Sequence, residues 1–432
     1  MDMDTHLVGD QNVSLCLSWG ARSWQFRPSY AMRCLARLWM LVALVLLAPT
    51  VTGQNRQHRD RRRDLQESSA TQKLLSVQQR IDVIVVPEGP SDQTTALVFR
   101  DIAETVQDGL HNLGHPSRIV YCTNLVTDHC FAKGGKFIIL APHNLASYFT
   151  GDGGLAVLEK QLLPPDAVLY NFEQIPCRWP RQSTNLVQPG TRDRSLVLAR
   201  TLHIYGSYTL WDYSEENTKR LLDMGIHADL VPLGFSSKLR SSSLLVAGGR
   251  VLEEREYEDI DVLFIGMETP TRQRTIRRLR DAGVTVFHPN SEGVDLFGAA
   301  FDTVSARSKI VLNLNAFEGA TTTTTESRSD GSSPGDLCEN GEWKMPRLAR
   351  LLANGRFIVS EMSGSDSERA RFSGGVVFAP PERLAETCQF YLQRPGLRMS
   401  IAESGRRLFE QHLEADILRR PVGRHLAAQS AR

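Results

Sequence analysis

The sequence has few of the residue patterns by which metal, redox and nucleic-acid proteins are recognised. Its seven cysteines include no C-x-x-C pair, which argues against a zinc ribbon or a thioredoxin-like site. Its 50 Lys and Arg nearly balance its 49 Asp and Glu, and a net charge of +1 offers no basic field for nucleic acid. No D-x-D pair stands at the end of a predicted strand, and His143, His203 and His288 are isolated. We therefore expect no metal, no other cofactor and no nucleic-acid partner.

An apolar run long enough for an ordinary membrane span is also missing near the N-terminus. Residues 38–51 form a mostly apolar run of 14 residues, whereas a span needs about 20. Because Arg33 and Arg37 precede it and small residues follow, the run is typical of a secretory signal peptide over residues 1–53. A signal anchor at 38–51 is the alternative. Either reading predicts the secretory pathway, meaning the endoplasmic reticulum or Golgi lumen or secretion, with or without a membrane anchor.

The predicted compartment bears on whether the cysteines form disulfides. Removal of residues 1–53 would leave five of the seven cysteines, an odd number, so at least one thiol is free or pairs with another chain. Cys122 and Cys130 are close enough in sequence to form a disulfide in an oxidising lumen. Buried free thiols are the alternative.

The length and the alternation of strands and helices predict two domains. A chain of 432 residues exceeds what one core usually accommodates. After a polar linker or stalk at 54–79, short apolar strands alternate with helical segments over 80–235 and again over 260–418. Residues 236–259, rich in Ser and Gly and then in Glu, form the linker between them. This pattern predicts an α/β protein with two Rossmann-like doubly wound domains.

Two such domains place a ligand cleft between the carboxyl ends of their strands. The Thr- and Ser-rich insert at 319–341 cannot pack a core, so we expect a disordered surface loop. Residues 419–432 are expected to be a frayed tail.

An anion site is predicted where the first strand of the second domain ends. Residues 261–266 read DVLFIG, and a basic helix containing Arg272 and Arg274 follows. Gly266 lets a ligand approach the backbone, and the helix N-terminus offers unpaired N–H groups and a positive dipole end. Guanidinium groups match phosphate oxygens bidentately. A tight turn followed by a solvated basic helix explains the same residues.

Other polar residues stand where predicted strands end. Asn313 and Asn315 alternate at one strand end and so point to the same face. Ser214 has the pattern of a helix N-cap, with acidic residues in the following turn. A polar strand terminus or a capping role is the alternative for each.

Six segments in fixed order resemble the glycosyltransferase group 1 proteins of the spore-maturation (CgeB-like) type. The segments are residues 169–174 (LYNFEQ), 210–217 (LWDYSEEN), 231–234 (VPLG), 261–266 (DVLFIG), 306–314 (ARSKIVLNL) and 347–361 (RLARLLANGRFIVSE). The resemblance implies the GT-B fold, in which the two domains face each other across a cleft. It also implies metal-independent transfer of a sugar from a nucleotide-sugar donor, bound mainly by the C-terminal domain, to a glycan, protein or lipid acceptor.

The resemblance gives roles to the residues at the cleft. Glu173 is the candidate general base for the acceptor hydroxyl. Donor contacts are assigned to Gly266, Arg272, Arg274, Asn313, Asn315, Arg347 and Glu361. Acceptor or cleft positions are Asn171, Asp212, Glu215, Asn217 and Gly234. Structural roles in capping, turns and surface ion pairs remain the alternative for each.

One departure from the family pattern leaves a second function open. The position before the matched Arg347 helix is usually acidic in the family, and here it is Lys344. Together with the Thr/Ser insert, this favours as the alternative a catalytically silent lumenal binding protein with the same two-domain frame.

Overall fold

Short runs rich in Val and Ile form the strands of two parallel sheets in the computed structural model. The structure describes residues 79–88, 94–123, 130–131, 135–148, 163–175, 194–241, 246–247, 250–251, 258–292, 296–315, 345–362 and 365–430. The predicted leader, linker 54–79 (apart from Gln79), insert 319–341, Lys344, Cys177 and Cys338 lie outside these residues.

The first sheet has six parallel strands in the order β2-β1-β3-β4-β5-β6. The strands are β1 (Ile81–Val85), β2 (Ile119–Tyr121), β3 (Lys136–Leu140), β4 (Val168–Asn171), β5 (Thr209–Asp212) and β6 (Ala228–Leu230). The helices are α1 (Thr94–Asn112), α2 (Leu145–Tyr148), α3 (Arg194–Ser207) and α4 (Glu215–Asp223). Strands β1, β3 and β4 are buried almost throughout, as expected for strands covered on both faces.

The short antiparallel pair β7 (Val246–Ala247) and β8 (Arg250–Val251) follows the first sheet. The second sheet has five parallel strands in the order β10-β9-β11-β12-β13. They are β9 (Ile260–Phe264), β10 (Val286–Phe287), β11 (Ser308–Asn313), β12 (Ile358–Glu361) and β13 (Val377–Ala379). The helices are α5 (Pro270–Asp281), α6 (Gly298–Ala306), α7 (Met345–Ala353), α8 (Asp366–Arg371), α9 (Leu384–Leu392), α10 (Pro395–Glu410) and α11 (Glu414–Ser430). Two parallel α/β sheets confirm the predicted fold class.

The last helix corrects the prediction of a frayed tail. Residues 414–430 form α11, which packs on α1 of the first sheet rather than on the second. Leu418, Val422 and Leu426 are buried at intervals of four residues and so form one apolar stripe. Helix α11 therefore covers part of the first sheet, although it follows the second sheet in the chain.

Gly234 contacts the start of α11 and holds it against the first sheet. Its amide donates to Glu414 Oε2 at 2.5 Å. A Cβ at this position would lie 2.7 Å from the carbonyl oxygen of His412 and 2.7 Å from Ile417 Cδ1. Gly234 does not line the main cavity described below. Gly234 thus has a packing role, because only a residue without a side chain fits against α11, and its predicted cleft role stays a prediction.

Cys122 and Cys130 form a disulfide. Of the two alternatives left by the sequence, bridging is the one observed for this pair. Cys388 is a buried free thiol, and burial raises its pKa to about 12. Among the described residues, no helix combines the length and apolarity that a membrane span requires.

We predict that Gly234→Ala lowers the free energy of unfolding by about 1–3 kcal/mol, because the added methyl group overpacks the α11 contact. Urea unfolding checks this. Gly206→Ala is the matched control: it adds a methyl group to a helix where the nearest atom would lie 3.9 Å away. The control should be neutral or stabilising by up to about 1 kcal/mol. Equal losses for both variants would contradict the packing role.

Glu414 predicts a pH dependence of stability. Burial raises the pKa of this carboxyl to about 8 from 4.5. The folded protein therefore keeps a proton that the unfolded chain releases, so this stabilisation is complete below pH 4.5 and is lost as pH rises through 8. Relative to Glu414→Gln, the unmodified protein should lose roughly 2–4 kcal/mol of unfolding free energy between about pH 5 and 9.

Urea unfolding across that pH range measures the difference. Asp416→Asn, on the same helix but exposed and paired with Arg419, is the control and should keep the pH dependence of the unmodified protein. Parallel curves for Glu414→Gln and the unmodified protein would contradict a buried neutral carboxyl.

Candidate functional site

A cavity of about 840 Å³ lies between elements that belong to the two sheets. From the first sheet it is lined by the N-terminal half of α1 and by Phe172 and Glu173, which follow β4. From the second it is lined by residues 265–268, which follow β9, by the start of α6 and by Arg347 on α7. The loops after β4 and β9 stand at carboxyl ends of parallel strands, where α/β folds bind ligands. Glu173, Gly266 and Arg347 are therefore brought to one site, as the sequence predicted.

Glu173 presents an exposed carboxylate on a fixed backbone. Its amide donates to Asn171 Oδ1 at 3.1 Å, and its carbonyl oxygen accepts from Asn171 Nδ2 at 2.7 Å and Asn217 Nδ2 at 2.9 Å. These bonds hold the turn after β4 on both sides of Glu173. The carboxylate thus stands in the cavity on a backbone that does not need to rearrange.

Asn171, Asp212 and Asn217 are buried and bond one another, so their role is to support Glu173. Asn171 Nδ2 donates to Asp212 Oδ2 at 2.7 Å, and Asn217 Nδ2 lies 3.1 and 3.2 Å from the two Asp212 oxygens. None of the three lines the cavity. These side chains stand behind the loop that carries Glu173, and their predicted acceptor or cleft role stays a prediction. The predicted Ser214 cap is confirmed, since its side chain accepts from the Asn217 amide.

Glu215 also lies away from the cavity. Its Oε2 accepts from Ser365 Oγ at 2.7 Å and from Ser367 Oγ, and its amide donates to Glu368 Oε1 at 3.2 Å. The N-termini of α4 and α8 therefore meet through one another's carboxylates. The contact joins a helix of the first sheet to a helix of the second, and the predicted acceptor or cleft role of Glu215 stays a prediction.

The glycine turn after β9 is held close to two guanidinium groups. A Cβ at Gly266 would lie 3.4 Å from Arg272 Nη1, 3.4 Å from Arg347 Nη2 and 3.2 Å from the Phe264 ring. Its φ of 157° is rare for residues with a side chain. The Gly266 amide donates to Asn290 Oδ1 at 3.0 Å, and His288 Nε2 lies 3.0 Å from its carbonyl oxygen. Gly266 thus permits close approach to the backbone, but its own N–H is already used.

Arg347 lines the cavity together with Arg100 and Arg350, and it differs from them in its burial. Its Nη1 atom is buried and has no hydrogen-bond partner. Burial lowers the pKa of its guanidinium, while Tyr213 and Glu173 act in the opposite direction. A buried donor without an acceptor costs free energy that a bound anion would recover. Arg347 is therefore the predicted donor residue with the clearest capacity to bind a phosphate.

Arg272 has a structural role, and its predicted phosphate contact stays a prediction. It is 2% exposed, and its Nη1 donates to the Met267 carbonyl at 2.7 Å while its Nη2 donates to the Leu314 carbonyl at 3.0 Å. Burial, with repulsion from Arg347, lowers the pKa of Arg272 to about 10. The guanidinium joins the loop after β9 to the end of β11. Arg274 is exposed, bonds Thr271 on its own helix and does not line the cavity.

The polar residues at the ends of β11 and β12 bond one another and do not line the cavity. Glu361 Oε2 accepts from the Asn315 amide at 2.7 Å, and burial raises the pKa of Glu361. Asn313 Nδ2 donates to Ser360 Oγ at 2.9 Å, while its Oδ1 is buried without a partner. The predicted contacts of Asn313, Asn315 and Glu361 with a donor ribose or sugar are thus not formed at this cavity.

Two cavity features were not identified from the sequence. Arg350, one turn after Arg347, bonds Asp302 with two nitrogens at 2.6 and 2.7 Å and Asp101 at 2.7 Å. Asn290, which fixes Gly266, follows β10 at the same sheet edge as Gly266 follows β9. Asn290 could have been found from its position just after a predicted strand, whereas no local sequence pattern pairs Arg350 with Asp101. Among the described residues, no group of three or more His, Cys, Asp or Glu is placed to hold a metal.

Comparison with known proteins finds likeness only at the level of solved structures. No family model matches the sequence, and no curated protein matches it as a relative. Anabaena HepE in complex with UDP-glucose is 10% identical, with a TM-score of 0.49 over 81% of this chain and 99% of that chain. Sucrose-phosphate synthase from Thermosynechococcus elongatus is 9% identical, with a TM-score of 0.49 over 82% and 100%. WaaG, a glycosyltransferase involved in lipopolysaccharide biosynthesis, is 14% identical, with a TM-score of 0.45 over 79% and 98%.

We predict that pyrophosphate stabilises the protein through Arg347. At a concentration about 100 times its Kd, a ligand of the folded state adds about 2.7 kcal/mol. Arg347→Met should abolish the pyrophosphate-dependent rise in Tm, and its ligand-free Tm should equal or exceed that of the unmodified protein, because a buried donor without an acceptor is removed.

Arg274→Met is the control, because it removes the same charge from an exposed helix face outside the cavity. It should keep the pyrophosphate shift. A shift that survives Arg347→Met, or that disappears in Arg274→Met, would place the anion elsewhere.

Proposed function

We propose that the protein is a glycosyltransferase of the GT-B type that moves a sugar from a nucleotide-sugar donor to an acceptor hydroxyl. The observation that carries this proposal is one cavity with Glu173 on the side of the first sheet and Arg347 on the side of the second. A carboxylate and a guanidinium in one cleft are the two charges that this reaction needs, one to accept a proton and one to stabilise a departing diphosphate.

The proposed chemistry assigns one step to each side of the cavity. Glu173 accepts the proton of the acceptor hydroxyl as its oxygen bonds to the anomeric carbon of the sugar. The bond between that carbon and the diphosphate oxygen breaks, and the diphosphate leaves with the electron pair. Arg347 and the N-terminal end of α5, which begins after the cavity-lining residues 265–268, stabilise this charge. We propose that this replaces a metal ion, so activity should resist chelators.

The compartment and the family remain proposals as well. The Cys122–Cys130 disulfide supports an oxidising compartment, in line with the signal peptide or anchor predicted at residues 1–53. The ordered segments at 169–174 and 347–361 supply residues on both sides of the cavity, which supports a relation to the CgeB-like glycosyltransferases.

One observation favours the alternative of a catalytically silent binding protein. Two groups predicted to bind phosphate, the Gly266 amide and the Arg272 guanidinium, are bonded internally. Such a protein would bind a nucleotide through Arg347 without turnover.

Measurement of catalytic turnover distinguishes a glycosyltransferase from a silent binding protein. We predict that nucleoside diphosphates raise the Tm and that release of nucleoside diphosphate from a panel of nucleotide sugars is detectable. Glu173→Gln should lower the release rate by about 10²–10⁴-fold, the usual contribution of a general base, while the nucleotide-dependent Tm shift persists. Glu268→Gln, which removes another carboxylate lining the same cavity, should change the rate by less than about threefold on the same scale.

A loss confined to Glu268→Gln would assign the base to Glu268. Nucleotide binding without turnover for any donor would favour the silent protein, and the absence of any nucleotide-dependent shift in folded protein would contradict both functions.

A further inference from the structure

The first turns of α1 present apolar side chains to the cavity. Leu97 and Val98 are 44% and 49% exposed, and both line it. Aliphatic side chains exposed inside a concave site are typical of ligand contact rather than of ordinary surface.

The Arg350 ion pairs fix the position of this face. Asp101 follows Leu97 by four residues and Val98 by three, so all three lie on one side of α1. Asp101 bonds Arg350 on α7, and Arg350 bonds Asp302 on α6. The turn of α1 that carries Leu97 and Val98 is thereby held next to the elements that line the cavity from the second sheet.

Those elements supply further apolar side chains. Leu296, Phe297 and Phe301, at the start of α6, line the cavity, and so does Met267 beside Gly266. We call Leu97, Val98, Met267, Leu296, Phe297 and Phe301 the apolar wall.

The charged residues that α1 gives the cavity already have partners. Arg100 Nε bonds Glu104 at 3.1 Å, and Asp101 bonds Arg350 at 2.7 Å. A molecule with hydroxyls facing the aliphatic side chains of this wall would lose hydrogen bonds with water without replacing them, which is unfavourable. An alkyl or aromatic group packed on this wall would instead remove its own apolar surface and that of the wall from water, which is favourable.

We propose that the acceptor is an amphiphilic alcohol, in which the reacting hydroxyl is borne on an alkyl or aromatic body that packs on the apolar wall. The proposal rests on the glycosyl transfer proposed above and names the acceptor class of that same site. The hydroxyl reaches Glu173, which lines the same cavity, while Arg347 holds the donor diphosphate.

Hexyl and methyl β-D-glucoside test this as binding probes, because they share a head group and differ only in the apolar chain. Calorimetric titration, below the concentration at which hexyl glucoside forms micelles, should show at least tenfold tighter binding of the hexyl compound. The double variant Leu97→Ser with Val98→Ser should reduce this preference to below threefold. Leu222→Ser, 63% exposed and outside the cavity, should leave it unchanged.

Equal binding of the two glucosides, or a preference that survives the double variant, would overturn the proposal. The proposal would also be overturned if the double variant lost the rise in Tm caused by nucleoside diphosphate but still bound hexyl glucoside more tightly than methyl glucoside. The apolar wall would then contact the base of the donor nucleotide. Far-ultraviolet circular dichroism confirms that each variant is folded.

The effect of nucleoside diphosphate on the Tm of the unmodified protein distinguishes the proposal of glycosyl transfer from the proposal of an amphiphilic acceptor. A nucleotide shift without a hexyl preference would overturn the acceptor class and leave glycosyl transfer intact. A hexyl preference without a nucleotide shift would support the apolar wall as a binding site and contradict glycosyl transfer.

Discussion

The guanidinium of Arg350 makes the ion pairs on which the geometry of the cavity depends. Through Asp302 and Asp101 it joins α7, α6 and α1, three helices that come from both sheets. The Arg350 and Asp302 side chains are only 13% and 8% exposed, so these charges are poorly solvated and the pairs are weakly screened by salt. Burial raises the pKa of Asp101, which shows that this carboxylate is partly removed from water to reach its partner. Leu97 and Val98 on α1 and Arg347 on α7, which line the cavity, are three or four residues from Asp101 and Arg350 respectively, about one helical turn.

A second buried network serves the opposite side of the site. Asn171, Asp212 and Asn217 are all fully buried, and their side chains satisfy one another and the backbone around Glu173. Such a network is favourable only when every member is bonded, so it specifies one arrangement of the loop. The contrast with Arg347 is informative: its buried Nη1 has no partner, whereas the groups that support Glu173 are bonded. Rigid support on one side and a buried, unpartnered guanidinium nitrogen on the other fit a site that binds an anion.

Local patterns were enough to predict the sheets and the positions of Glu173 and Gly266 at strand ends, because strand ends and glycine turns are encoded over a few residues. Arg347 was assigned through the family resemblance. Local patterns were not enough to assign the arginines. Arg272 and Arg347 are the same residue type near the same glycine, and only three-dimensional packing shows that Arg272 bonds carbonyl oxygens while Arg347 Nη1 does not. The pairing of Arg350 with Asp101 joins residues separated by 249 positions, and no local pattern encodes it. Helix α11 was missed because charged residues and Pro421 conceal its apolar stripe.

That helix has a consequence for how the protein is made. Glu414 and Leu418 lie against Gly109 of α1, where a Cβ on the glycine would be 2.7 and 2.9 Å from their side chains. Leu418, Val422 and Leu426 belong to the same core cluster as Phe99, Ile102 and Val106. The first sheet thus lacks part of its covering layer until residues 414–430 have been synthesised, so a shorter nascent chain exposes apolar surface on α1. Burial of this face of α1 is therefore a late step, because its covering helix follows both sheets in the chain.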